Sequence, residues 1–486
     1  MNSETIAAIA TAMSNSGIGI IRVSGDDAIA VVDKIYCNSK YERTLQKYKT
    51  HTIHYGYIFR SDEKVADSVD CNNSGIKESQ ILDEVMVSVM KAPNSYTKED
   101  TVEINCHGGV VMMNEILKLV IKHGARIAEP GEFTKRAFLN GRIDLTKAEA
   151  VMDIIDAKNR YALKSSVKQL KGSVYKIVKE MRDRIIYEIA FIESALDDPE
   201  HISLDGYPEK LTEIMTNLSQ KCKELLDTAQ NGRILKEGIN TVIVGKPNAG
   251  KSSLLNIMLG EEKAIVTDIA GTTRDVLEES ITLGGINLNM IDTAGIRSTE
   301  DIVEKIGVEK AKKYAEEADL IIYVCDASVP FDENDEEIFE LLSDKKVIVL
   351  LNKSDLEQMI TEEMVFEKLN KGQENQLGEE TCHIVRTSTL HQNGITELEN
   401  TIRDMFLSGK IEGNEEIFLT NLRHVEAIED TMKSLEQVKV SLSMDMPEDF
   451  YSIDLMSAYA SLGYIIGEEV SDDLVNEIFS KFCMGK

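Results

Sequence analysis

Over the first 141 residues the apolar positions come in short runs, such as "GIGIIRV" at 17–23 and "EVMVSVMKA" at 84–92, broken by Gly, Asn and Ser. Runs of that length read as strands, whereas "GVVMMNEILKLVIKHG" at 109–124 has helical spacing. The mixture predicts an α+β module. From about Asp144 to Asn231 the period lengthens, and Ala148, Met152, Ile155 and Ala157 fall on one helical face. No proline interrupts residues 147–196, so long helices forming a bundle are expected. Between about Ile239 and Met405, the runs "TVIVG", "LNMIDTAG", "LIIYVCD", "KVIVLLNKSD" and "HIVRTS" alternate with helical stretches, as in a parallel sheet covered on both faces. From about Glu415 the chain reads as helix again, and the acidic run "DENDEE" at 332–337 reads as a solvated loop. The expected architecture is multidomain, α+β and α/β. An N-terminal domain takes 1–141, a discontinuous helical domain takes 142–236 with 407–486, and a doubly wound domain is inserted at 237–406.

Charge narrows the partners. Lys and Arg total 54 against 84 Asp and Glu, a formal net charge of -30, which repels a polyanion at long range. A nucleic-acid partner would therefore need a local basic surface. The seven cysteines are odd in number and lack C-x-x-C spacing, the usage of a reducing cytoplasm. No run of 18 apolar residues and no charged-then-apolar leader is present, which points away from membrane spanning and export.

The candidate chemistry lies in the inserted segment. "GKPNAGKS" at 245–252 fits G-x-x-x-x-G-K-[ST] between an apolar strand and a helix. Its backbone N–H groups can wrap a β-phosphate, Lys251 can reach the β/γ oxygens, and the Ser252 hydroxyl can ligate Mg²⁺. "IDTAG" at 291–295 puts Asp292 at a strand end for Mg²⁺ and the Gly295 N–H near a γ-phosphate. In "NKSD" at 352–355 the Asp355 carboxylate can accept from N1–H and the amino group of guanine, a donor pair that adenine lacks. "TSTL" at 387–390 can close over the base, and Thr273 in "TDIAGTTRD" at 267–275 can complete the Mg²⁺ shell. These elements, in order and each at a strand end, predict a Ras-like P-loop domain that binds and hydrolyses GTP. The expected GTP contacts are Asn248, Ala249, Gly250, Lys251, Ser252, Ser253, Thr267, Asp268, Ile269, Ala270, Gly271, Thr272, Thr273, Asp292, Thr293, Ala294, Gly295, Asn352, Lys353, Ser354, Asp355, Ser388, Thr389 and Leu390.

After "DTAG" stands Ile296, where Ras-type enzymes place the glutamine that orients water. Two substitutes are open: Glu304 downstream, which reads equally well as a solvated helix residue, and a monovalent cation such as K⁺. The Asn248 amide oxygen and carbonyls in 267–272 would hold the cation.

"GKPNAGKSSLLN", "IVTDIAGTTRDV", "DTAGIR" and "FCMGK", with "VEINCHGG" and "EPGEFTKRAFLNGRIDLTKAEA", make the whole chain resemble the MnmE (TrmE) family of tRNA-modification GTPases. The resemblance implies a homodimer joined through the N-terminal domains, with G domains that approach when K⁺ and GTP bind. It assigns K⁺ to Asn248, Thr267, Ile269 and Thr272, Mg²⁺ to Ser252 and Thr273, and water activation to Glu304. It implies a flavin- and NADH-dependent partner of the MnmG (GidA) type, in a heterotetramer or larger complex. Together they would install a carboxymethylaminomethyl or aminomethyl group on carbon 5 of the wobble uridine of certain tRNAs. A 5-formyl- or methylene-tetrahydrofolate would carry the one-carbon unit, held by Arg22, Glu103, Arg142 and Lys486. The loop "TAMSNSGIGIIR" departs from the family's Pro- and Gly-rich version, so a different loop shape, and with it a different folate affinity, is expected there.

In the segment "DDLVNEIFSKF", Leu474, Ile478, Phe479 and Phe482 are expected to dock on the earlier helices and carry "CMGK" toward the folate pocket. Cys483 would then act as a catalytic thiol near the one-carbon group, or serve only as a packed residue. Two other classes compete. An RNA-binding switch would carry a basic KH-type GXXG segment, which is missing, and a dynamin-like polymer would leave the tail without a role.

Overall fold

Alternation along the N-terminal strands builds a sheet with one buried face. The computed structural model describes residues 4–60, 80–261, 279–291, 314–342, 345–369, 382–407, 418–483 and 485. By its contacts the chain divides into two units. One comprises Met1–Met152, Leu170–Arg184 and Tyr459–Lys486, and the other Asp153–Gln169 and Ile185–Ala458.

In the first unit, β1 (Ile6–Ile9), β2 (Ser16–Ser24), β3 (Tyr36–Asn38), β4 (Thr52–Phe59), β5 (Ile81–Met90), β6 (Thr101–Gly108) and β7 (Arg126–Ile127) form a sheet in the order β3-β4-β5-β6-β2-β1-β7. Val85, Val87, Val89, Val102 and Ile104 share a core with the helices Ala28–Asp33 and Val110–Lys122, while Ile53, Tyr55 and Met86 stay exposed. Antiparallel pairing of β2 with β6 sets Arg22 opposite Glu103. The helix Asp472–Ser480 starts at Ser471, whose hydroxyl accepts from Leu474 N–H. Val475, Phe479 and Phe482 bury against Leu145 and Ala148, with Ile478 partly covered.

In the second unit, β8 (Ile239–Val244), β9 (Glu279–Leu283), β10 (Ile286–Met290), β11 (Leu320–Asp326), β12 (Lys346–Asn352) and β13 (Cys382–Arg386) form a sheet in the order β13-β12-β11-β8-β10-β9. All neighbours run parallel except β9 against β10. Successive strand residues feed opposite cores: Ile322, Val324, Ile348 and Leu350 one, Ile321, Tyr323, Val347 and Val349 the other. From β8 the chain runs to β9 and β10 on one side, then crosses to β11 on the other, so the carboxyl end of β8 is a topological switch point, where open α/β sheets hold ligands. The long helices Tyr207–Asp227 and Leu422–Ser443 pack together, with Leu211, Met215 and Leu218 buried on one and Ile428, Leu435 and Val438 buried on the other. The segments leading into and out of the sheet are tied side by side, with Leu419 N–H donating to Thr228 Oγ1 at 3.2 Å. Among the described residues no helix is long and apolar enough to cross a membrane.

Two expectations fail. "DENDEE" is no solvated loop: Asp332 caps the helix Glu333–Leu341 in a reciprocal capping box, and Asp335 is wholly buried. The predicted apolar face is buried only in part: in the helix Leu145–Ile155, Ala148 is buried while Ile155 is 39% exposed. Ala157, the last predicted position of that face, lies two residues past the helix end.

Candidate nucleotide site and a second charged cluster

The loop after β8 is shaped by backbone angles that need special residues. Gly245 has φ 150°, Asn248 φ 62° and Gly250 φ 110°, all in the left-handed half of the map, which glycine tolerates and asparagine visits. A Cβ on Gly250 would fall 2.1 Å from Asn352 Nδ2, and one on Gly245 would fall 2.3 Å from the Val324 carbonyl, so neither has room for a side chain. The helix Lys251–Glu261 follows and points its N-terminus at the loop, which favours an anion there. Lys251 Nζ donates to Gly245 O at 2.6 Å and Lys246 O at 2.8 Å, which curls the ammonium over the loop. Burial holds that ammonium below the ordinary lysine pKa.

One buried amide joins the loops. Asn352, at the end of β12 and wholly buried, donates through Nδ2 to Ala249 O at 2.7 Å and to Thr389 Oγ1 at 3.2 Å. Its Oδ1 accepts from Thr389 N–H at 3.1 Å and Thr387 Oγ1 at 3.3 Å. The phosphate loop and the base-closing loop are therefore fastened through a single side chain with all its hydrogen-bonding capacity used. Lys353 sits at φ 60° and its Nζ meets Asp326 Oδ2 at 2.5 Å. Burial works to raise the Asp326 carboxyl, yet Lys353 and Ser328 outweigh it and hold it below its ordinary value. Asp355 Oδ1 accepts from Ser388 Oγ at 2.6 Å, and that bond keeps its carboxyl below the usual range. Ser354 N–H closes the turn on Thr387 O at 3.0 Å, and Leu390 is 78% exposed at the rim.

The second cluster lies in the first unit. Arg22 Nε donates to Glu103 Oε1 at 2.8 Å, and its Nη1 donates to Gly485 O at 3.2 Å. The Arg22 guanidinium lies 5.8 Å from the Tyr96 ring centre and 5.7 Å from that of Phe133, while Arg142 lies 4.7 Å from Tyr96. The tail is seated by close backbone approach. Gly131 N–H donates to Cys483 O at 3.3 Å, and Gly485, at φ 90°, has no room for a Cβ against Ile9 O. Cys483 itself is exposed, whereas burial pushes Cys106 up to about 11 and Cys222 up to about 12, which makes those thiols poor nucleophiles.

Residues 5–142 match the family described as GTP-binding protein TrmE N-terminus, and residues 145–483 match the MnmE helical domain family. The chain is 55% identical, over 100% of both sequences, to the tRNA modification GTPase MnmE of Lachnoclostridium phytofermentans. The chain belongs to the MnmE family of tRNA modification GTPases. It is 48% identical to the protein of that name from Clostridioides difficile over 99% of each, and 44% identical to that of Bacillus subtilis over 99% of this chain and 100% of the relative.

As an MnmE family member the chain is a GTPase, and the expected GTP contacts Asn248–Gly250 lie on the loop after β8, Lys251–Ser253 in the first turn of the helix that follows it, Asn352 at the end of β12 with Lys353–Asp355 just beyond, and Ser388–Leu390 after β13. Thr267, Asp268, Ile269, Ala270, Gly271, Thr272, Thr273, Asp292, Thr293, Ala294, Gly295, Glu304 and Lys486 lie outside the described residues. Sequence reasoning passed over Lys246, Asp335, Tyr323 and Asp326 around the loop, and Tyr96, Phe133 and Gly131 around the tail. Asp332 and Asp335 stand three apart before a helix, the spacing of a capping box, and that signal was available. The ring contacts of Arg22 and Arg142 leave no local trace.

Proposed function

We propose that this chain binds GTP·Mg²⁺ at the carboxyl ends of β8, β12 and β13 and hydrolyses it with K⁺ as a fixed positive charge. Turnover drives modification at carbon 5 of a tRNA wobble uridine. The observation that carries this reading is the Asn352 amide, which fastens a phosphate-binding turn to a loop carrying Asp355. Such a tie suits a ligand in which phosphate and base belong to one molecule. Asp355 accepts from guanine N1–H and the exocyclic amine, and with adenine it would be left a desolvated carboxylate without donors.

The glycine turn that admits no Cβ and the downshifted Lys251 suit a di- or triphosphate, and Ser252 in the first helical turn, with Thr273, would hold Mg²⁺. Asn248, with Thr267, Ile269 and Thr272, offers an all-oxygen set suited to K⁺, which would supply charge stabilisation at the phosphates. Glu304 orients the attacking water in this reading, since Ile296 carries no polar group.

In the first unit two guanidiniums, a carboxylate and two aromatic faces fit a folate, with Arg22, Glu103, Arg142 and Lys486 as its holders. A bound folate would supply a one-carbon unit, and Cys483 beside it offers an exposed thiol. In this reading residues 1–141 form a folate and dimerisation domain, 142–236 with 407–486 a helical domain, and 237–406 the G domain. The chain works in the cytoplasm as a homodimer with an MnmG-type flavoprotein. GTP turnover compared in K⁺ and in Na⁺ at equal ionic strength tests the mechanism. A rate at least tenfold higher in K⁺ is expected, and equal rates would remove the cation.

A further inference from the structure

Lys246 is the second residue of the phosphate loop, and its side chain reaches the start of the helix Glu333–Leu341. Its Nζ donates to Asp335 Oδ2 at 2.6 Å and to Asp332 Oδ2 at 3.1 Å, with the lysine side chain only 14% exposed. Asp335 is fully buried, and its charge is met from every side: Oδ1 accepts from the Tyr323 hydroxyl at 2.6 Å, and Oδ2 accepts from Asp332 N–H at 2.9 Å as well as from Lys246. Phe339 packs edge-on to Tyr323 at 5.5 Å between ring centres, and Phe331 edge-on to Phe339 at 5.4 Å, which places apolar rings on the Tyr323 side of the cluster.

The placement of these groups matters. Tyr323 on β11 is the register partner of Val244, the last residue of β8, and Asp335 stands in the first turn of the helix that follows β11. The backbone of Lys246 is also a seat for Lys251, whose Nζ donates to the Lys246 and Gly245 carbonyls. A shift of Lys246 would therefore move both the start of the phosphate loop and the ammonium that meets the phosphates.

We propose that Lys246, Asp335 and Tyr323 form a buried anchor that fixes the entry of the phosphate loop to the neighbouring strand and helix, and so sets nucleotide affinity without touching the nucleotide. The proposal rests on reading the loop as the GTP site. The anchor residues are positioning residues. They hold the loop in its bound shape before the ligand arrives, so the ordering cost is met in folding and not in binding. On that reading the loop's amides would face the β-phosphate, so di- and triphosphate affinities depend on the anchor alike, while the hydrolysis step does not.

The test titrates the full-length chain with fluorescent mant-GDP and mant-GTP, comparing wild type with Lys246→Met, Asp335→Asn, the double variant and Lys246→Arg. Each of the first two should weaken both nucleotides by about tenfold, with kcat at saturating GTP kept within twofold. The double variant should lose no more than the worse single one, because both remove the same interaction. Lys246→Arg, which retains charge and donors, should stay within threefold of wild type. Unchanged affinity in Lys246→Met and Asp335→Asn, losses that multiply in the double variant, or a fall in kcat with affinity kept would each overturn the anchor. Wild-type chain that binds neither nucleotide would instead overturn the reading of the loop as a nucleotide site, and the anchor with it.

Discussion

The loop cluster around Asn352 and the charged cluster around Arg22 are built on opposite plans. The first uses backbone: glycine and asparagine angles, strand ends and a helix N-terminus, fastened by one neutral buried amide. The second uses long charged side chains, Arg22, Glu103 and Arg142, laid over the aromatic rings of Tyr96 and Phe133, with backbone entering only through the seated tail. A backbone site is stiff and reads one ligand shape, since its donors cannot rotate away. A side-chain site relies on ion pairs, whose strength follows pH and salt.

That contrast can be broken at its strongest point first. Asn352→Ala removes two donors and an acceptor from a wholly buried position, and leaves Ala249 O and Thr389 N–H without their partner. With about 1–3 kcal/mol at stake for each unsatisfied group, GTP and GDP affinity should fall by roughly a hundredfold or more. Equilibrium binding checks this, and a loss under tenfold would mean the two loops hold themselves.

Next in size is Gly485→Val. A side chain at φ 90° would strain the backbone, and its Cβ would collide with the Ile9 carbonyl, so the tail should leave its seat. Wobble-uridine modification in cells carrying only this variant should be lost, with GTP turnover within twofold of wild type. Modification at the normal level would show that the seated tail has no part in the chemistry.

The smallest effect concerns acid. Burial works to raise Glu132, but Arg126, the Glu129 N–H and Arg136 outweigh it and hold its carboxyl down to about 2. A folded value below the unfolded one means the unfolded chain binds the extra proton. This contribution to stability is therefore complete above about 4.5 and lost as pH falls toward about 2. Arg126→Gln should raise the carboxyl, so that acid unfolding followed by circular dichroism begins at higher pH. An unmoved acid limb would deny the ion pairs that role.

How far each region could be read from the sequence follows from the same difference. β8, β11 and β12 were legible because parallel strands covered on both faces read as apolar runs, β13 from the apolar "IV" before "TSTL", and the loops after them carry short motifs. β9, with "ESITL", went unseen, since a short edge strand with two polar residues at its start resembles loop. Asp335 was misread because an acidic run normally faces water, and the tyrosine that makes its burial tolerable lies 12 residues upstream. The Arg22–Glu103 pair spans 81 residues and exists only through the β2–β6 register, which no local pattern encodes. For that cluster only likeness to a known family named the residues, and it passed over the rings of Tyr96 and Phe133.

The central proposal is that guanine-nucleotide recognition by this chain drives wobble-uridine modification. Nucleoside analysis of bulk tRNA tests it most directly, in cells lacking the chain and complemented with wild type or with Asp355→Asn, whose amide no longer accepts both guanine donors. The account predicts that the carbon-5 modification disappears without the chain, returns with wild type and stays absent with Asp355→Asn. A modification that persists without the chain, or returns fully with the variant, would contradict it.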